Sequence, residues 1–184
     1  MFVLRSKVTI DELRTTIIYS NNTLLNVDKI IEIVPTHYIA LINDDKSYCN
    51  ITHSTLEFKH TLINHGISFI YSDTQDKFIP QHINFDKING VSFKKGCYTG
   101  QEIVARTHYL GKAKRSLYRF VSDSQLKIGQ QLFSPIMHNQ EVGIVVEIVQ
   151  REYNYLGLLS LQNECVDSVF IDKENKEQLL IQKI

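Results

Sequence analysis

The sequence predicts an α+β fold, with strands and helices mixed in its first half and short antiparallel strands alone in its second. Three observations predict it. The first half carries β-branched and apolar runs of strand length, interrupted by turn residues. A helix with readable ends lies between Ser54 and Gly66. Beyond residue 111 the β-prone runs recur at short spacing with no helical periodicity among them.

In chain order, residues 7–10 and 15–19 are rich in β-branched side chains, and Asn21-Asn22 reads as a turn. Tyr38-Ile39-Ala40-Leu41-Ile42 reads as a buried strand stopped by Asn43-Asp44-Asp45. Ser54-Thr55-Leu56-Glu57 fits a capping box, in which hydroxyl and carboxylate each satisfy an unpaired N–H at a helix start. Gly66 suits the left-handed position past the helix end. A strand is expected to follow, which completes an α+β layer.

In the second half, residues 117–121, 142–149, 155–161, 168–171 and 178–182 are the strand candidates. Their spacing suits a small antiparallel barrel or sandwich. The boundary between the two parts falls near Tyr109 to Ala113, giving regions 1–110 and 111–184.

Composition limits the function classes. The 184 residues include 20 Lys plus Arg and 20 Asp plus Glu, so the net charge is zero and a uniformly basic nucleic-acid coat is excluded. No apolar stretch approaches the roughly 18 residues of a membrane-spanning helix. The opening, with a short apolar start and then mixed charges, does not read as a secretory signal. Cys49, Cys97 and Cys165 form no CxxC pair and are odd in number, which fits a reduced, cytoplasmic protein.

The chemistry concentrates between Phe93 and Arg106. Thr99-x-x-Glu102 fits a second capping box, so a helix is expected from Gly100 with Thr99 as its N-cap. Gly96 and Gly100 allow a tight turn and close approach of a ligand. Cys97 then precedes the helix beside Lys95, and both the helix start and the ammonium favour a thiolate. Plainer readings stand beside these. Glu102 serves equally as a cap partner, Arg106 as its i+4 ion-pair partner, Tyr98 as a packing residue and Cys97 as a small buried hydrophobe. Cys49 and Cys165 lack such surroundings and read as structural.

From Lys94 to Arg119 there are seven basic residues against one acidic, a net +6 in a neutral chain. Such a field attracts a polyglutamate tail, a phosphate backbone or an acidic protein, or it is simply a solvated face. The seven histidines show no HExxH and no zinc-type spacing with cysteine, so no metal ligands are assigned. Walker, GxGxxG and GxSxG loops are absent from the sequence.

Lys95-Gly96-Cys97-Tyr98-Thr99-Gly100-Gln101-Glu102-x-Val104-x-Arg106 resembles the signature of the YgfZ family, a folate-binding group related to the glycine cleavage T-protein (aminomethyltransferase). Phe78-Ile79-Pro80-Gln81, Ile88-Asn89-Gly90-Val91-Ser92-Phe93-Lys94 and the opening Ser6-Lys7-Val8-Thr9-Ile10 are also similar to it. The resemblance implies a T-protein-like α+β folate-binding region over residues 1–110, with the family's opening domain absent, and a small C-terminal antiparallel β-barrel over 111–184. It implies Cys97 as the functional residue, with Lys95, Gly96, Tyr98, Gly100, Gln101, Glu102 and Arg106 as the binding loop and tetrahydrofolate as the cofactor. Asn64 stands where members usually carry a glutamate, and it offers no ionised carboxylate.

The function so implied is assistance in making or repairing iron–sulfur clusters of client enzymes, including tRNA-modifying ones. The partners are then those clients, an indirect link to tRNA, and a second copy of the chain. Two other functions fit the same residues: a folate-dependent one-carbon transferase, and a non-catalytic docking module using the basic segment from Lys94 to Arg119. Whether the chain is an enzyme stays open between them.

Overall fold

The computed structural model describes residues 15–20, 29–43, 55–111 and 113–184. The expected strand at 7–10, the turn at Asn21-Asn22, Asp44-Asp45, the cap residue Ser54 and Cys49 lie outside the described residues. The chain divides into two compact units, Met1–Ser54 and Thr55–Ile184. The sequence reading sets a boundary at 110/111, inside the second unit.

In the first unit, β1 (Thr15–Ser20), β2 (Lys29–Val34) and β3 (His37–Asn43) form an antiparallel sheet in the order β1-β3-β2. β1 and β3 sit where the sequence places strands; β2 was not anticipated. β2 and β3 are joined by Pro35-Thr36, with Thr36 at φ 66°. Proline followed by a positive φ is the type II pattern. The Thr36 N–H donates to Glu32 Oε1 at 3.1 Å, tying the turn to its own strand.

The second unit opens with α1 (Thr55–Asn64), whose Leu62 and Ile63 are buried. It ends as expected, with Gly66 left-handed at φ 67°. No strand follows α1 before residue 115 among the described residues. In place of the expected strand come 3-10 turns at Ser72–Thr74 and Pro80–Ile83 and then α2 (Gln101–Leu110).

Five antiparallel strands complete the unit: β4 (Arg115–Ser122), β5 (Gln131–Ser134), β6 (Gln140–Gln150), β7 (Tyr155–Gln162) and β8 (Leu180–Lys183), in the order β5-β6-β7-β4-β8. Side chains alternate across this sheet into two cores. Tyr118, Phe120, Leu132, Val145, Leu159 and Leu161 share one core with Cys165 and Val169. Leu117, Val146, Val149, Leu156 and Leu158 meet Ile63 of α1 and Ile83 in the other. Covering both faces explains why β6 and β7 read as continuous apolar runs rather than alternating ones.

The sheet is not the closed barrel that the sequence reading expected. Residues 168–171, read as a strand, contribute only isolated bridges, Phe133 to Phe170 and Phe170 to Gln178. The reason is local. Asp172 Oδ1 accepts the N–H groups of Glu174 (2.8 Å) and Lys176 (3.3 Å), which turns the chain before a ladder can extend. The α+β class stands, and the edge strands β5 and β8 do not pair with each other.

Candidate functional site

The 3-10 turn Pro80–Ile83 and the helix α2 together hold the segment singled out from sequence. Gln81 is buried, and its Nε2 donates to the Val104 carbonyl at 2.7 Å. Val104 is the buried residue of α2. This pairing anchors an otherwise exposed helix to the unit.

The start of α2 differs from the expected capping box. Gly100, not Thr99, occupies the N-cap, at φ 83° and ψ −3°, and no side chain caps the helix. Glu102 instead accepts from Arg106 Nη2 at 2.8 Å, an exposed i,i+4 pair. The plainer reading of Arg106 as an ion-pair partner therefore describes its contact, whereas Glu102 is not the cap partner. Gln101 turns back, its Oε1 accepting the Tyr98 N–H at 3.3 Å. Lys95 Nζ lies 4.6 Å from the centroid of the Tyr98 ring, a cation–π contact. Gly96 has open space where a Cβ would stand, so the space it leaves is not filled by a neighbour.

Cys97 is a free, exposed thiol in this loop, whereas Cys165 is fully buried. The reading of Cys97 as a buried hydrophobe is thus removed. The loop brings Lys95, Tyr98 and Gln101 together just before α2, while Glu102 and Arg106 pair one turn along it. The set offers ammonium, amide and guanidinium donors, groups that can pair with the acceptor oxygens of a ligand.

Sequence reasoning missed two features here. Phe93 and His108 stack with ring centroids 3.7 Å apart and planes at 15°, and Tyr109 meets both edge-on. This stack pins the chain ahead of the motif to the last turn of α2. No periodicity links residues 15 apart across a loop, so nothing in the sequence signalled it. The second feature is a cleft of about 530 Å³ lined by Ile79, His82, Arg106, Leu110, Lys114 and Arg115, among others. His82 Nδ1 is buried there without a partner. Burial, and then the charge of Arg115, lower the pKa of His82 below the usual histidine value. A larger cleft, about 730 Å³, lies between α1 and the turn after β6, beside His60, Arg151 and Tyr153, and includes none of the motif residues.

No helix among the described residues is long and apolar enough to cross a membrane. No family model matches the chain. It is 38% identical over 106 residues to the tRNA-modifying protein YgfZ of Aliivibrio fischeri (strain MJ11), covering 55% of this chain and 33% of that protein. It is 33% identical over 127 residues to the protein of the same name from Enterobacter sp. (strain 638), covering 66% and 39%. The counterpart in Vibrio vulnificus (strain YJ016) matches at 62% over 45 residues, or 24% and 14%. The matches thus span between 14% and 39% of these relatives' own length. These likenesses support the YgfZ family for this chain, which spans less than half the length of the relatives it matches.

Proposed function

We propose that this chain assists the synthesis or repair of iron–sulfur clusters in client enzymes, tRNA-modifying ones among them, through the Cys97 loop. One observation carries the reading: Cys97 is an exposed free thiol ahead of α2, between Gly96 and Gly100, in a chain whose relatives are named tRNA-modifying proteins. A sulfur so placed can reach a cluster or a client surface without rearrangement of the fold. Its workplace is the cytoplasm, where thiols stay reduced.

Tetrahydrofolate is the cofactor of this reading, and when bound it supplies a one-carbon carrier. Lys95, Gln101 and Arg106 are the donors that would hold it, with Tyr98 as the ring beside Lys95 and Glu102 fixing Arg106. Gly96 and Gly100 keep the loop free of side-chain bulk. A homodimer is the proposed assembly, since β5 and β8 leave sheet edges that a second copy can cover.

The test is the activity of an iron–sulfur tRNA-modifying enzyme in cells whose only copy of this chain carries Cys97→Ala. Reduced client activity with an unchanged melting curve supports the reading, and normal activity refutes it. Calorimetric titration of tetrahydrofolate into the reduced protein tests the cofactor separately. Micromolar affinity, about −8 kcal/mol, supports it, and no binding by calorimetry and a second method removes it.

A further inference from the structure

We propose that the cleft between α2 and the start of β4 binds a small phosphorylated ligand of the nucleotide class. Arg106, Lys114 and Arg115 hold its phosphate, and Ile79 and Leu110 support its body. The volume, about 530 Å³, falls within the range of small-molecule pockets. Three separate elements contribute to it. The 3-10 turn Pro80–Ile83 supplies His82, α2 supplies Arg106 and Leu110, and the entry to β4 supplies Lys114 and Arg115.

These cations are not already neutralised. Among the described residues, neither Lys114 nor Arg115 has a carboxylate partner. Arg106 has only Glu102, an exposed pair of the kind that a better anion displaces readily. His82 Nδ1, buried in the same cleft without a partner, is a polar atom awaiting one. His82 and Arg115 both line the cleft, and the charge of Arg115 helps to keep His82 neutral.

Three positive charges call for more than one carboxylate. A phosphate monoester carries about −1.5 to −2 charge and three acceptor oxygens, and the planar guanidinium pairs with it in bidentate fashion. A small ligand is favoured over an RNA backbone because two other cations of the segment are engaged elsewhere. Arg119, the next cation along β4, donates to Gln182 Oε1 at 3.1 Å, and Lys95 lies over Tyr98. Cys97 does not line the cleft, and Arg106 is the one residue it shares with the donors proposed for the folate.

The experiment is calorimetric titration of the full chain with AMP, adenosine, inorganic phosphate, triglutamate and a single-stranded RNA oligonucleotide. It is repeated with Lys114→Gln and Arg115→Gln, with thermal melts as the control for folding. The expected result is saturable AMP binding, with adenosine and inorganic phosphate each at least tenfold weaker and both variants at least tenfold weaker for AMP. Lys114 is exposed, so its variant stays informative should Arg115→Gln fail to fold. The proposal is overturned if AMP binds no better than adenosine, phosphate or triglutamate, if Lys114→Gln leaves AMP binding unchanged, or if only the oligonucleotide binds. None of these outcomes bears on the client-enzyme test of Cys97.

Discussion

The phenolic hydroxyl of Tyr71 donates to the carboxylate of Glu147, a side chain with no solvent exposure midway along β6. The other oxygen of Glu147 accepts from Lys59 Nζ at 3.4 Å and from the Ile148 N–H at 3.3 Å. A register shift between Val145 and Glu147 accompanies this inward carboxylate. Lys59 lies on α1 and Tyr71 just after it, so Glu147 ties that helix to the sheet. Removing the hydroxyl in Tyr71→Phe leaves a buried carboxylate oxygen unpaired, which costs about 1–3 kcal/mol. Urea denaturation of the variant measures it, and a stability equal to the parent's would disprove the tie.

The same bond carries a pH signature. Burial first, and then the hydrogen bond and charge of Glu147, raise the pKa of Tyr71 well above the usual phenol value. Above about pH 10 an unfolded tyrosine ionises while the folded Tyr71 keeps its proton, so the folded state binds more protons and stability falls as pH rises. Denaturation curves between pH 9 and 11 (about the range where free phenols titrate) are expected to steepen for the parent relative to Tyr71→Phe. Parallel curves would contradict this.

His82 gives a slope of opposite sign. Its folded pKa is lowered, by burial and then by Arg115, with Arg106 and Lys114 as further cations on the cleft. Between that lowered value and the ordinary histidine pKa of about 6.5, the unfolded chain binds the extra proton. Stability therefore rises with pH through this window and levels above it. The difference between the parent and His82→Gln across mildly acidic pH isolates the effect from carboxylates that titrate lower. A difference that does not change with pH would exclude it.

The two cysteines among the described residues present a labelling contrast. Cys97 is exposed and Cys165 has no exposure at all, packed with Phe120, Leu159 and Val169. A thiol reagent on the native protein is expected to modify Cys97 rapidly and Cys165 only on unfolding, read by mass spectrometry of digested fragments. Fast labelling of Cys165 in the folded state would contradict this packing.

How much of this was legible follows from the range of the interactions concerned. β1, β3, β4, β6 and β7 were visible because their apolar and β-branched runs are local. β2 and β5 were not: Lys29–Val34 carries a local β-branched run that went unread, and Gln131–Ser134 owes its place to pairing with β6. Residues 168–171 have strand composition but stop at the Asp172 turn, so the barrel stayed open. At the site, the Glu102–Arg106 pair was readable from spacing, whereas Cys97 stood open between a reactive loop and a buried hydrophobe until the structure showed it exposed. The cleft joining His82 to Arg115 and the Phe93–His108 stack depend on tertiary placement that no local pattern encodes. Glu147 is the sharpest omission, a carboxylate that its sequence hides within an apolar run.

The close approach between β7 and β4 sets a packing test. A Cβ on Gly157 would lie 2.4 Å from Phe120 Cε1 and 2.5 Å from the Glu147 carbonyl oxygen. Phe120 is fully buried and the second obstacle is backbone, so neither can swing aside cheaply. Gly157→Ala is expected to cost about 1–3 kcal/mol through overpacking, seen as a lower urea midpoint. An unchanged midpoint would mean that the two strands can separate locally.

The helix start separates sequence expectation from structure most directly. A capping box would make Thr99 the stabilising residue, and its loss to alanine would cost about 1 kcal/mol. The structure instead puts Gly100 at the N-cap with φ 83°, and no side chain caps α2. Thr99→Ala is therefore expected to leave stability unchanged, while Gly100→Ala forces an L-residue into the left-handed region at about 1–2 kcal/mol. Space is not the obstacle, since nothing lies within 4 Å of the added Cβ. The penalty is thus purely conformational, and Gly100→Asn, which tolerates that region better, should recover part of it. Thermal melts of the three variants decide the matter. Destabilisation by Thr99→Ala with a neutral Gly100→Ala would restore the capping box and overturn this account of the helix start.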